Sequence, residues 1–128
     1  MRNLKFRAFL KSNRKMYDVL MLNIIDQKAL IENAEGREYA KMSEIELIQY
    51  TGLKDRNGQE ICEGDVLKAI DIELEDGFFI GGFAGYVEWD APAFVFKSGR
   101  NGEYADPLNH TDEFDVIGNI FENPELLR

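Results

Sequence analysis

The sequence predicts a mainly β protein: a small barrel preceded by an N-terminal β-hairpin extension, with little helix. Three observations predict it. Apolar and charged residues alternate with period two along Leu4-Lys5-Phe6-Arg7-Ala8-Phe9-Leu10, as a half-buried strand requires. Turn dipeptides recur at short intervals, above all Asn57-Gly58 and Asp76-Gly77. Almost no segment repeats its apolar residues at helical spacing, and many short strands with frequent turns favour a barrel or rolled sheet.

Taken in order, the alternating opening is followed by Ser12-Asn13-Arg14, which supplies turn chemistry, and by a returning strand over Lys15 to Leu20. Leu22 to Ile25 and Ala29 to Glu32 flank Asp26-Gln27-Lys28 and suggest a second hairpin, with a short helix over Gln27 to Ala34 as the competing reading. Asn33 to Arg37 reads as a polar loop, and Ile45 to Tyr50 as a strand. Glu63-Gly64-Asp65 makes a tight corner, and Val66 to Leu74 alternates as one longer strand. Glycines at Gly81-Gly82-Phe83-Ala84-Gly85 mark a bulge or close backbone approach. Tyr86 to Trp89 and Ala93 to Lys97 form two strands joined at Asp90-Ala91-Pro92. Ser98 to Asn109 reads as a long loop, Phe114 to Phe121 as the last strand, and Pro124 as the first position of a short helical turn. A boundary near residues 50 to 60 separates the extension from the barrel.

Composition excludes several classes. The 128 residues are enough for one domain with a real core. The formal net charge of −9 opposes binding to a polyanionic duplex, whose affinity comes from Lys and Arg on phosphates. The charge is uneven, because Arg2, Lys5, Arg7, Lys11, Arg14 and Lys15 face only Asp18 within the first 22 residues. Such a basic edge reads first as a solvated hairpin and second as a local nucleic-acid contact. Cys62 is the sole cysteine, which rules out an internal disulfide and points to a reducing compartment. The opening residues lack the apolar run of a signal peptide, and no stretch is long enough to cross a membrane as a helix.

The segment from Gln49 through Tyr50-Thr51-Gly52-Leu53-Lys54-Asp55-Arg56-Asn57-Gly58 to Glu60-Ile61-Cys62-Glu63-Gly64-Asp65-Val66 resembles the signature of the YopX family of bacteriophage and prophage proteins. Lys5-Phe6-Arg7-Ala8-Phe9 resembles that family's opening, and Val116-Ile117-Gly118-Asn119-Ile120-Phe121-Glu122-Asn123-Pro124-Glu125-Leu126-Leu127 its close. The blocks follow the family's order over nearly the whole chain. Cys62 stands where the family often carries an aromatic residue. The resemblance implies a single domain over residues 1–128, with a β extension over 1–50 and an SH3-like barrel core over 51–128. It implies a phage or prophage origin, a cytoplasmic setting in the bacterial host, and no catalytic residue to carry over. The structural signature it marks is Tyr50, Thr51, Gly52, Asp55, Gly58, Glu63, Gly64, Asp65, Gly118, Asn119, Asn123 and Pro124.

Read physically, these residues favour structure over chemistry. Gly64 permits a tight corner, and Asp65 can accept backbone N–H bonds beside it. Asp55, Glu60, Glu63 and Asp65 superficially resemble a calcium loop but lack acids at every second position, so a structural turn is expected and no metal. His110 is the sole histidine, which excludes a multi-histidine zinc site. His110, Asp112, Glu113 and Asp115 form a small acidic cluster read as a solvated loop rather than a general base. Cys62 lies among acids that would raise its pKa, so packing is expected rather than nucleophilic attack. The glycine-rich stretch at 81–85 lacks the lysine and helix of a phosphate-binding loop. Phe78, Phe79, Phe83, Tyr86, Trp89, Phe94 and Phe96 crowd one region, chiefly as core, with any exposed remainder suited to a protein interface.

The expected function is therefore that of a non-enzymatic phage accessory protein acting through an unidentified protein partner or self-association, without a cofactor and without a membrane. The alternatives are a nucleic-acid-associated module using the basic N-terminal hairpin, and an acidic decoy for a host nucleic-acid-binding protein.

Overall fold

The computed structural model describes residues 5–70, 72–73, 75–77, 79–80, 84–99 and 102–127. Leu4, Phe78 and the glycine-rich Gly81-Gly82-Phe83 lie outside the described residues. The chain divides into two compact units, Met1–Tyr50 and Thr51–Arg128.

In the first unit β1 (Phe6–Leu10), β2 (Lys15–Asn23), β3 (Lys28–Asn33) and β4 (Gly36–Lys41) form an antiparallel meander. A short 3-10 turn at Met42–Glu44 leads into β5 (Ile45–Lys54), which returns to pair with β1. The N-terminal extension is thus larger than a hairpin. The competing helix over Gln27 to Ala34 does not form, because Ala29 and Ile31 alternate into the core as strand residues. The polar segment from Asn33 is a tight turn. Its Asn33 Oδ1 accepts the Glu35 N–H at 2.9 Å, and β4 begins at once.

One face of this meander carries the core: Ala8, Leu10, Tyr17, Ala29, Ile31, Ala40 and Ile45, with Val19, Leu22, Met42 and Leu47 packed around them. Full burial of a side chain such as Ile31 contributes about 2 kcal/mol. A register shift between Val19 and Met21 inserts Leu20 as a bulge, so Met21 falls opposite Leu30 and Leu22 opposite Ala29. The bulge puts Leu22 on the core side and Met21 on the solvent side, which strict alternation from Tyr17 would not.

The last residues of β5, from Thr51, belong to the second unit, and β6 (Glu60–Cys62) lies beside that strand. β7 (Asp65–Ala69), β8 (Ile72–Glu73), β9 (Phe79–Ile80), β10 (Ala84–Asp90), β11 (Ala93–Ser98), β12 (Tyr104–Pro107) and β13 (Phe114–Asn119) follow. The main sheet has the order β12-β11-β10-β7-β13, all antiparallel, while β8 and β9 pair separately. The expected barrel is therefore not closed: among the described residues β12 and β13 are the two edges of an open sheet.

The single strand expected over Val66 to Leu74 is broken at Ile70, whose N–H turns to the Glu113 carbonyl at 3.0 Å. The long loop expected over Ser98 to Asn109 contains β12, paired with β11. The core of this unit is Ile61, Leu67, Val87 and Phe96, flanked by Phe94, Leu108, Phe114 and Val116. Pro124 opens a 3-10 turn, Pro124–Leu127, as expected.

Candidate functional site

The signature residues between Thr51 and Pro124 build a connected set of turns. Asp55 follows β5 and is only 5% exposed. Its Oδ1 accepts the N–H groups of Asn57 and Gln59, both at 2.9 Å, and its Oδ2 accepts that of Val116 at 3.0 Å. Gly58 closes the loop with φ +82°, a conformation that costs a side-chain-bearing residue, and donates to the Asp55 carbonyl at 3.1 Å. Burial alone would raise the Asp55 carboxyl. The N–H groups of Val116, Gln59 and Asn57, with the Arg56 charge, outweigh it and hold the pKa below the ordinary value.

A second clasp lies outside the first. The Arg56 guanidinium grips Asp115 through Nε–Oδ1 at 3.0 Å and Nη2–Oδ2 at 2.9 Å. The Asn57 amide reaches the same carboxylate at 3.0 Å, and the Arg56 N–H donates to the Phe114 carbonyl at 3.0 Å. The loop that superficially resembled a calcium site is thus a clamp on β13, with both Asp55 oxygens turned onto N–H donors.

The corner before β7 works the same way. Asp65 is buried, and its Oδ2 accepts the Cys62 N–H at 2.7 Å. Gly64 has φ +84°, and an added Cβ would lie 2.5 Å from Cε2 of Phe121. The Gly64 N–H donates to the Val87 carbonyl at 2.7 Å, and the Gly64 carbonyl accepts the Ile120 N–H at 2.8 Å. Glu63 is half-buried at the turn. Thr51 donates its hydroxyl to the Ile61 carbonyl at 2.8 Å and accepts the Leu53 N–H at 3.1 Å. Gly52, at φ +84°, lies between them with open space around it.

At the far end of β13 the Asn119 side chain accepts the N–H groups of Phe121 and Glu122 at 3.1 and 2.8 Å. Asn123 Oδ1 accepts the Asn119 N–H at 3.3 Å, and the Asn123 carbonyl accepts the Leu126 N–H at 3.1 Å. Gly118 is required for space: a Cβ there would meet Asn123 Oδ1 and Leu126 Cδ1, each at 2.6 Å.

The remaining candidates do not converge. His110 is exposed in the left-handed region at φ 48°, and its carbonyl accepts the Glu113 N–H, while Asp115 is held by Arg56. Among the described residues no three His, Cys, Asp or Glu side chains come together as a metal site. Cys62 is buried, 3% exposed, beside Ile61. Phe96 packs on Phe114 with ring centroids 5.0 Å apart, and Trp89 meets Phe94 edge-on at 4.9 Å while remaining 45% exposed. Trp89 shares the face of Val87, Phe94 and Phe96 and is exposed near the end of β10.

The described basic residues among the first 22 each have a neighbour of their own. Arg7 faces Asp18, Lys11 faces Glu46, and Lys15 binds Glu35 at 2.6 Å. Arg14 lies over Phe9, and Lys5 over Tyr50, each at 5.9 Å from the ring centroid.

Sequence reasoning missed the tip of the β2–β3 turn. Ile24 and Ile25 are 84% and 94% exposed. The turn is fixed by Asn23, which donates to Asp26 Oδ2 at 2.9 Å and accepts the Asp26 N–H at 3.0 Å. Asn23 and Asp26 bracketing two isoleucines are the signal that locates this tip.

The chain is similar over its whole length to the crystal structure of protein EF1440 from Enterococcus faecalis, with 25% identity, full coverage of both chains and a TM-score of 0.67. A comparison with curated proteins finds no match. No helix among the described residues is long and apolar enough to cross a membrane. A family model, described as YopX protein, matches residues 5–128. The chain belongs to the YopX family.

Proposed function

We propose that this protein is a bacteriophage or prophage accessory protein that acts in the host cytoplasm through contacts with another protein and turns over no substrate. One observation carries the reading. Polar signature residues such as Asp55, Asp65 and Asn119 are consumed by internal bonds, whereas Ile24, Ile25 and Tyr39 stand in solvent at 84%, 94% and 69% exposure. Side chains that stabilise turns leave little for catalysis. Large apolar groups in water are the usual material of an interface. The local pairing of Arg7, Lys11 and Lys15 with acids weighs against a hairpin reserved for phosphates.

The test is an affinity pull-down from the bacterial host with and without nuclease, read by mass spectrometry. A specific protein retained in the presence of nuclease is the expected result. Retention of nucleic acid alone, and only in the untreated sample, would overturn the reading in favour of the basic hairpin. Turnover of a small substrate by the purified chain would overturn it too.

A further inference from the structure

The outer face of the β2–β4 meander, opposite the core, carries a cross-strand row of Met21, Leu30 and Tyr39. Met21 is 51% and Tyr39 69% exposed. The same face of β3 and β4 places Lys28 opposite Lys41, and both line one groove with the apolar row.

Backbone bonding fixes the geometry. The Met42 N–H donates to the Gln27 carbonyl at 2.8 Å, which makes that pair hydrogen-bonded. The alternation of an antiparallel ladder then makes Lys41–Lys28, Tyr39–Leu30 and Arg37–Glu32 the non-bonded pairs, whose side chains stand closest. Two ammonium groups thus face each other where like charges are most unfavourable. Neither has a carboxylate within ion-pair distance among the described residues. Two acids line the same groove, Asp26 held by the Asn23 amide at 2.9 Å and Glu44 by the Lys41 N–H at 3.1 Å, and neither makes an ion pair with Lys28 or Lys41.

The same alternation turns the N–H and C=O groups of Arg37 and Tyr39 away from β3. β4 is the edge of its sheet, so these groups lie open to an incoming strand. Along that edge Arg37, Tyr39 and Lys41 share one face, in the order basic, aromatic, basic.

We infer that β4 and the groove beside it dock an extended segment of a partner protein, added as an antiparallel strand. The segment carries an apolar residue opposite Tyr39 and carboxylates two positions to either side. Main-chain bonds to Arg37 and Tyr39 supply the affinity, the carboxylate opposite Lys41 relieves the Lys28–Lys41 repulsion, and the other faces Arg37, whose guanidinium also holds Glu32 at 3.1 Å. The inference rests on the protein-contact reading and names the chemistry of the partner.

The test uses the isotope-labelled full chain and the blocked peptide Thr-Glu-Thr-Leu-Thr-Glu-Thr, with a control in which both Glu are Lys. The acidic peptide is expected to shift the amide resonances of β4 and to slow hydrogen exchange at Arg37 and Tyr39. The lysine peptide is expected to bind at least about tenfold more weakly. The Lys28→Glu, Lys41→Glu double variant is expected to reverse that preference, with unchanged Ala29 and Ile31 resonances reporting an intact core.

Equal binding of the two peptides, or no response in β4, would overturn the inference. So would protection of Arg37 and Tyr39 that grows with protein concentration in the absence of peptide, since a second copy would then occupy the edge. The double variant also separates this inference from the broader one. A host protein retained equally by the original chain and the variant removes the groove and leaves the protein-contact reading. Retention by neither removes both.

Discussion

From Phe6 to Tyr50 the strands lie beside neighbours in the chain, apart from β5, which returns to β1. Beyond Thr51 the order is less local: β7 sits between β10 and β13. The buried polar side chains divide just as sharply. Thr51, Asp55, Asp65 and Asn119, the buried polar residues among those described, all belong to the second unit. The most exposed large apolar side chains, Ile25, Ile24 and Tyr39, all belong to the first. Non-local pairing has to be specified, and a buried carboxylate with a fixed set of donors specifies it, because the wrong arrangement strands a charge. A meander pairs by proximity and leaves its outer face available for other uses.

The sharpest way to break this contrast is at Asp55. Replacing Asp55 with Ala leaves three N–H donors without their acceptor and is expected to cost about 4 kcal/mol, read by urea denaturation. The pH dependence follows from the lowered pKa. Asp55 contributes stability that is complete above its unfolded value, near 3.8, and is lost as pH falls through the lower folded value. The stability gap between the original chain and Asp55→Asn is therefore expected to hold at neutral pH and to narrow below about pH 3.8. A gap that stays constant across that window would assign the effect to packing.

Glycine substitutions sharpen the comparison within the second unit. Gly64→Ala adds backbone strain to a collision with Phe121 and is expected to cost about 3 kcal/mol. Gly58→Ala has the same strain in open space and is expected to cost about 1 kcal/mol. Equal losses in thermal or chemical unfolding would show that the ring of Phe121 yields.

The smallest effect is expected in the first unit. Ile24→Ser with Ile25→Ser removes side chains that are already hydrated, so stability should stay within about 0.5 kcal/mol. A larger loss in the same denaturation experiment would mean that the tip is part of the fold and not of its surface.

The sequence disclosed those strands whose side chains report burial. Phe6 to Leu10 ends in three buried residues, Ala8, Phe9 and Leu10, and Tyr86 to Trp89 is anchored by the buried Val87. Among the described strands β4, β6, β9 and β12 escaped notice, and of these β4 and β12 are exposed edges. In Gly36-Arg-Glu-Tyr-Ala-Lys41 only Ala40 is buried, and Tyr104-Ala-Asp-Pro107 is exposed throughout. Edge strands are held by backbone bonds on one side, which leave no apolar rhythm to read. Asn57-Gly58 was visible as a turn from its residues alone. That Asp55 reaches Val116 was not, because nothing local to either residue encodes a partner so distant along the chain.

That distance has a consequence for synthesis. Sixty-one residues separate Asp55 from the N–H of Val116 that it accepts. At a translation rate of about 5–20 residues per second, the carboxylate leaves the ribosome roughly 3–12 s before its last donor. Throughout that interval the nascent loop keeps its charge in water, and the sheet centred on β7 has only one flank to grow on. The meander, whose turns join successive strands, faces no such wait. The chain is thus made in an order that offers the groove-bearing unit to its surroundings before the clamp on the other unit can close.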